Sequence, residues 1–378
     1  MITTEIVWDL RNSDSLDLQW AELDDLGLCE PSTSLAWTRA LLATHVAESD
    51  TTFAVVLSDG GQTVAIIPAV IRTERVMRSL DVATLYLLCD LTTAHSDILR
   101  VSGRPDIVPA VIDALTGLTG RWDMLRIARL IESSPVALQV TSHLARGTLP
   151  HRERREQPSF YLELEESYEL FLAGRSAKFR NYLRRKTRQL EAEGKLRILK
   201  AGPDLDVEQA FGHLLSIEER SWKHAHGTAI SAVPHQQTFY RLLCEGAHRT
   251  GRLHLMLMYL NDVPIAFNLG VTAAARYSYL KTSFDEAYRK LSPATILRAS
   301  LVEMLIRDGV RCLDFPAEPY QWEEQWTDTV RWHTSVVVFN RTARGALLRL
   351  LVTSRDRLRR SRKDDGIAYV DPRRNAVT

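Results

Sequence analysis

The stretch Leu253–Val310 constrains this 378-residue chain more than any other. An apolar run over 253–260 is closed by Asn261-Asp262, a returning run starts at Val263, and a third alternating run covers 276–284. A turn pair between two strand-like runs suits a tight hairpin, so three antiparallel strands are expected in succession. The polar loop Arg289-Lys290-Leu291-Ser292-Pro293-Ala294-Thr295 then opens an amphipathic helix from Ile296. Ser292 reads as its N-cap and Pro293 as its first residue. Such a start presents free backbone N–H groups and the positive end of the helix dipole, so it suits a phosphate.

The same order recurs nearer the start. A hairpin closed by Asp59-Gly60-Gly61, a strand at 82–89, a helix over Pro105–Leu118 and a strand at Trp122–Ala128 repeat the pattern without repeating the sequence. The polar, proline-bounded segment Leu149–Pro158 reads as a linker. Beyond it, Phe160–Leu164 alternates like a strand and Tyr168–Leu172 starts a short helix. Ser176–Glu193 reads as a long helix closed by Gly194. Helices at Val207–Trp222 and His235–Arg249, a final strand at Val336–Phe339 and a basic amphipathic helix from Arg344 to about Arg362 complete the order. The expected division is a first α/β domain over 1–152, a second over 159–345, and a basic helix and tail over 346–378.

A length of 378 residues with 45% hydrophobic composition suits two cored domains. No apolar run reaches the ~18 residues of a membrane span, and the first residues lack the pattern of a secretory leader. Four scattered cysteines, Cys29, Cys89, Cys244 and Cys312, have neither metal nor redox spacing. Reduced thiols in a cytoplasmic protein without a bound metal are therefore expected. The net charge of +1 carries no global nucleic-acid signature. No Gly-rich dinucleotide fingerprint, P-loop or nucleophile elbow occurs.

Charge is concentrated locally. Seven cations lie between Arg175 and Arg188 with no carboxylate among them. Like charges this dense repel unless an anion offsets them, and arginine pairs phosphate in a bidentate way. A solvated face is the competing reading. Alternation along 276–284 puts Tyr277, Tyr279 and Lys281 on one side of the third strand, as site lining or as packing. In the first half, Asp90, His95 and Asp97 cluster after an apolar strand, a loop or a general-base pair.

Residues from about Ser159 to Trp332 resemble the acetyltransferase domain of the CelD/BcsL family, a GNAT-fold group associated with bacterial polysaccharide biosynthesis. The resemblance is carried by the run Arg175–Arg185, by Trp222, Phe239-Tyr240, Pro264-Ile265-Ala266 and Tyr279-Leu280-Lys281, and by Phe284-Asp285, Tyr288, Ser292-Pro293, Asp314-Phe315 and Tyr320. Two positions depart from the family pattern: Ala294 stands for its usual Gly, and Gln321 for its usual Lys. The group is also similar to the FemABX aminoacyltransferases, which carry two GNAT-like domains.

The resemblance implies tandem GNAT-like α/β domains with mostly antiparallel sheets. It implies an acyltransferase that takes acetyl-CoA or another acyl-CoA as donor. The donor is expected at Arg289, Lys290, Ser292, Pro293, Ala294 and Thr295. Candidate catalytic residues are Tyr279, Lys281, Asp285 and Asp314, the two carboxylates standing at strand ends near the cleft. Candidate substrate contacts are Arg180, Arg184, Arg185, Trp222, Tyr320 and Gln321. Three readings stay open: transfer of an acyl group from acyl-CoA to an amine or hydroxyl of a sugar or cell-envelope/polysaccharide intermediate, with or without a phosphate; aminoacyl transfer from a charged tRNA; and a non-catalytic GNAT-fold binding protein. The sequence names neither the acceptor nor the acyl length.

Overall fold

Each of the two hairpin-led runs builds its own sheet in the computed structural model, which describes residues 1–26, 30–76, 80–91, 95–316 and 322–352. In the first half, β1 (Ile2–Trp8) leads into α1 (Asp17–Asp25) and α2 (Leu35–Thr44). A meander of β2 (Thr51–Asp59), β3 (Gln62–Val76) and β4 (Leu80–Leu87) follows. Then come short β5 (Leu99–Arg100), α3 (Ile107–Gly117), β6 (Met124–Ile131), α4 (Pro135–Arg146) and β7 (His151–Arg155). The second half opens with β8 (Ser159–Glu163), α5 (Tyr168–Ala173), α6 (Ala177–Ala192), β9 (Leu196–Lys200), α7 (Val207–Glu219), α8 (Trp222–Ala225) and α9 (Pro234–Arg249). A second meander, β10 (Leu253–Leu260), β11 (Val263–Ala273) and β12 (Arg276–Phe284), precedes α10 (Pro293–Arg307), β13 (Cys312–Asp314), β14 (Val330–Arg331) and β15 (His333–Phe339).

The expected hairpins form for the expected reason. Gly60 and Gly61, and Asn261 and Asp262, all take positive φ, as a two-residue hairpin turn with matching twist requires. The repeat is topological. In the first half β4 runs parallel to β6 after the α3 crossover, pairing Thr84–Tyr86 with Met124–Arg126. In the second, β12 runs parallel to β13 after α10, pairing Arg276–Ser278 with Cys312–Asp314. The sheets have the orders β1-β2-β3-β4-β6-β15-β7, with β5 on β3, and β14-β8-β13-β12-β11-β10-β9.

Two expectations need correction. Residues 151–155 are not a linker but edge strand β7, and their charge is what a sheet edge tolerates. Residues 333–339 do not belong with the second sheet: β15 inserts between β6 and β7 of the first. Its buried Val336 and Val338 fill the first core. The chain thus crosses back, and a division at 150–158 leaves the first sheet without the strand that joins β6 to β7. The basic C-terminal helix is described over 343–352; the rest of that expectation, like Cys29, lies outside the described residues.

The halves share apolar packing. One core cluster joins Trp37, Leu41 and Val56 to Phe211, Phe239 and Leu257. Helices α2 and α9 meet at Gly246, where a Cβ would stand 2.8 Å from the Ala36 Cβ. A third cluster lies under α6 and α10, with Phe179, Leu183, Tyr277 and Tyr279. The second sheet therefore has an α7/α9 face and an α6/α10 face. Among the described residues, no helix is long and apolar enough to cross a membrane.

Candidate functional site

β12 and β13 stay paired for only three residues. From Tyr279 to Phe284, that edge of β12 has no strand partner among the described residues. The strands therefore part into a gap lined on one side by an edge of β12 that has no strand partner among the described residues. A 3-10 turn over Glu286–Leu291 carries the chain from the end of β12 to α10. Pro293 is the first residue of α10, as expected, but Ser292 does not cap with its side chain. It takes φ +56°. Its carbonyl accepts from Thr295 N at 3.1 Å and Ile296 N at 3.3 Å. Its hydroxyl instead accepts from Tyr182 Oη at 2.7 Å. Lys186 Nζ donates to the Lys290 carbonyl. These two contacts dock α6 onto the loop, so its cations flank the helix start. Ala294 and Thr295 are half-exposed there. Arg289 is exposed and pairs with Glu286 at 2.6 Å.

The first half offers no equivalent. Helix α3 starts at Asp106, whose carboxylate pairs with Arg104 at 2.8 Å. Arg104 also pairs with Asp59 at 3.0 Å. An acidic residue at that helix start opposes a phosphate, whereas cations flank the α10 start.

The seven cations of 175–188 make no ion pair among the described residues, yet they have different duties. Arg180 Nη1 donates to the carbonyls of Leu172, Ala173 and Arg175, closing the end of α5. It serves the fold rather than an open face. Arg175 donates to the Trp326 carbonyl. Arg185 lies 5.8 Å from the Tyr182 ring centre. Arg184, Arg185 and Arg188 line an open hollow of about 440 Å³ with Asn181, Gln189 and Ala192.

Tyr279 and Lys281 do not share a side. A bulge breaks the register of β12: Leu269 faces Lys281 while Gly270 faces Tyr279, so Leu280 is the extra residue. Tyr279 points to the α10 face. Its hydroxyl donates to Asn268 Oδ1 and accepts from Arg298 Nε at 3.3 Å. Lys281 points to the α7/α9 face, with Nζ 5.4 Å from the Tyr240 ring centre. Burial lowers its pKa, and the nearby Lys223 ammonium lowers it further. Lys223 pairs with fully buried Glu218 at 3.2 Å and donates to the Thr282 carbonyl at 2.7 Å, within the unpaired part of β12. Burial lowers its pKa too, against the pull of Glu218. Glu218 also accepts from Ile230 N at 2.6 Å.

The two candidate carboxylates are engaged. Asp285 accepts from Ala287 N at 3.0 Å and from Arg220 Nε at 2.6 Å. Asp314 is held by Arg276 at 2.8 Å and by Arg331. Arg276 reaches on to Glu30 at 3.1 Å, and Glu30 to His95 at 3.0 Å. This buried chain stitches the halves together at the root of the gap. Ligand atoms of Glu30, His95 and Asp314 lie within 4.8 Å of one another. The guanidinium groups already neutralise both carboxylates, so the cluster is an ion-pair network rather than a cation cage. His95 thus pairs with Glu30, a partner remote in sequence. Asp97 pairs with Arg100 at 3.2 Å, and burial pushes its pKa up to about 6. The side chain of Asp90 is not described. Trp222 is 41% exposed and stacks edge-on against His226. Tyr320 and Gln321 lie outside the described residues.

Sequence reasoning missed Lys223, Glu30 and Arg298. Lys223 and Glu218 sit five residues apart across a helix break, a spacing with no helical meaning. Arg298 stands in an apolar helix run, and a cation at such a position was the available signal.

Known proteins agree with this architecture. Residues 177–324 match the model of an acetyltransferase (GNAT) domain. The fold is similar to the crystal structure of FemX at 10% identity and a TM-score of 0.56, over 80% of this chain and 90% of that one. It is similar to the C-terminal domain of a putative lysylphosphatidylglycerol synthetase from Agrobacterium fabrum at 12% identity and a TM-score of 0.53, over 90% and 96%. A Bacteroides thetaiotaomicron protein of unknown function gives 9% identity and a TM-score of 0.57, over 89% and 100%. These identities speak for the fold alone. No curated protein sequence matches the chain. The chain thus has a GNAT-like mixed α/β fold, and residues 177–324 of its second half are similar to a GNAT acetyltransferase domain. The match is to that domain as a class and does not single out the CelD/BcsL group.

Proposed function

We propose that the second half binds an acyl-CoA and transfers its acyl group to an amine or hydroxyl of a sugar or envelope-polysaccharide intermediate. One observation carries this reading: β12 and β13 separate after three residue pairs, and α10 begins at the mouth of the gap beside unpaired cations. Donor phosphates take the Arg289–Thr295 segment, where the helix dipole, Lys186 and Lys290 offset their charge. The thioester arm runs along the open edge of β12, whose unpaired amides supply hydrogen bonds to a developing oxyanion. The nucleophile attacks the thioester carbonyl, the tetrahedral oxyanion collapses, and thiolate leaves. A base must take the nucleophile's proton. Lys281 is the candidate that retains capacity for this, since Tyr279, Asp285 and Asp314 spend their polar atoms on neighbours. Its lowered pKa increases the neutral amine fraction near neutrality.

A second reading keeps the fold and changes the donor to a charged tRNA. It is favoured by the run of unpaired cations on α6, which is longer than one pyrophosphate needs. Calorimetric titration with acetyl-CoA tests the first reading. Thr295→Glu puts a carboxylate at the phosphate seat and should weaken binding by about tenfold or more. Unchanged affinity in that variant places the donor elsewhere. Binding of tRNA with a steep salt slope, in the absence of acyl-CoA binding, favours the second reading.

A further inference from the structure

Arg298 is the buried charge that the proposed acyl transfer does not use. It projects from the second turn of α10 and is 4% exposed. Its guanidinium lies 3.7 Å from the Trp322 ring centre, 5.4 Å from that of Trp326 and 5.5 Å from that of Tyr279. Its one hydrogen bond runs from Nε to Tyr279 Oη at 3.3 Å. Among the described residues, neither terminal nitrogen has a hydrogen-bond partner or a carboxylate within ion-pair distance. Burying a charge without a counter-ion is costly. Aromatic faces recover only part of that cost.

Its position adds meaning. Tyr279 is the first residue of β12 past its pairing with β13. Phe315 follows β13 directly, and its ring centre is 6.0 Å from Tyr279 and 5.5 Å from Trp322. Arg298 therefore stands on the α10 side of the gap, at the point where the strands part. Other side-chain atoms on this face, among them Asn268 Nδ2, Tyr277 Oη and His254 Nδ1, are buried without partners among the described residues. Asn268 Oδ1 is occupied by Tyr279 and Thr282, which leaves its amide nitrogen spare. His254 beside Tyr277 is held neutral, its pKa pulled down to about 3 by burial and by Lys200. One cation without an ion pair among the described residues, spare hydrogen-bonding groups and aromatic walls are what a single planar anion requires.

We propose that Arg298 and Asn268 form a subsite for a carboxylate on the molecule that enters this gap. The inference rests on the acyl-transfer reading for the location of the gap, and deepens it by naming a substrate class. A carboxylate fits better than a phosphate dianion, because the subsite holds one cation and its fork accepts two coplanar oxygens. The carboxylate comes either with the transferred acyl group or with the acceptor.

The test compares matched pairs by calorimetry on the full chain. Succinyl-CoA is set against butyryl-CoA, and glucuronate against glucuronamide with CoA present. In at least one pair the carboxylate should bind about tenfold or more tightly, the value of one charged hydrogen-bonded contact. A preference in the first pair puts the anion on the acyl group; a preference in the second puts it on the acceptor. Arg298→Gln should erase the preference and leave butyryl-CoA affinity within about threefold. Equal affinities within both pairs overturn the proposal, and so does a preference that survives Arg298→Gln. If that variant does not fold, Asn268→Ala takes its place and should reduce the same preference; an unaltered preference there also overturns the proposal. If no CoA thioester binds, the donor reading fails separately, and the glucuronate pair, run without CoA, still decides on Arg298.

Discussion

Lys281 and Lys223 show how much a single residue depends on neighbours that are remote in sequence. Both are ammonium groups with lowered pKa values on the same side of β12. On the proposed reading the neutral amine of Lys281 is the proton acceptor, so activity should rise with pH through its lowered pKa. Lys223→Met removes a repulsive cation and frees the attraction of Glu218. Both changes raise the Lys281 pKa, so the acid limb of the kcat/KM profile should move to higher pH. An unmoved limb would remove Lys281 from the role of base. The same variant leaves Glu218 buried and unpaired, so it should lose about 3–5 kcal/mol in urea unfolding. Lys281 was legible in the sequence as a strand residue near the site. Its face was not, because one extra residue at Leu280 inverts the alternation from there on. Gly270 is the sequence trace of that bulge. A Cβ there would meet the ring of Tyr277, so only glycine lets the tyrosine lie across the sheet.

At the scale of elements, the strands and helices of 253–310 were readable because turn chemistry, period and capping residues agree there. The N-cap reading of Ser292 failed in one atom. Its hydroxyl serves Tyr182, a partner 110 residues away that no local pattern reveals. Likewise, the charge of α6 was visible but its division of labour was not, since Arg180 is spent on the end of α5. Arg184 and Arg185 line the open hollow, where the proposed function gives them a ligand. Replacing both by Glu should weaken donor or substrate binding about tenfold at low salt, with less effect at about 1 M, where charges are screened within a few ångströms. Loss of helical circular dichroism, or an effect independent of salt, would instead mark a folding defect. The contact of α2 with α9 is steric. Gly246→Ala pushes a methyl to 2.8 Å from the Ala36 Cβ and should cost about 1–3 kcal/mol in chemical denaturation. A neutral outcome would mean that the two helices are free to move apart.

The whole molecule is a repeat whose halves are sewn together. The repeat was legible because each half spells the same order of hairpin, strand, helix and strand. The sewing was not, because β15 returns to the first sheet across almost 180 residues and apolar pattern alone names no partner sheet. With one core cluster spanning both halves, unfolding should appear as one cooperative transition by fluorescence and circular dichroism alike. Two resolved transitions would show that the shared packing is weak.

The Glu30–His95 pair adds a pH dependence. Burial alone would lower the His95 pKa, but the Glu30 carboxylate raises it above the usual 6.5. Its stabilisation is full below that value and fades as pH rises through the folded pKa. Burial raises the Glu30 pKa and His95 outweighs it, so the net pKa falls below the usual 4.5. That contribution is full above 4.5 and fades as pH falls further. The stability lost on His95→Gln should therefore be greatest between these two values and shrink in alkali. A loss independent of pH would mean that His95 stays neutral.

Hydrogen exchange with and without acetyl-CoA tests most directly whether the second half alone holds a donor. Protection is expected at the amides of Ala294, Thr295 and Ile296 and along Tyr279–Phe284, with the corresponding helix start near Asp106 unchanged. Protection near Asp106 and Leu87, or no change anywhere at saturating ligand, would contradict it.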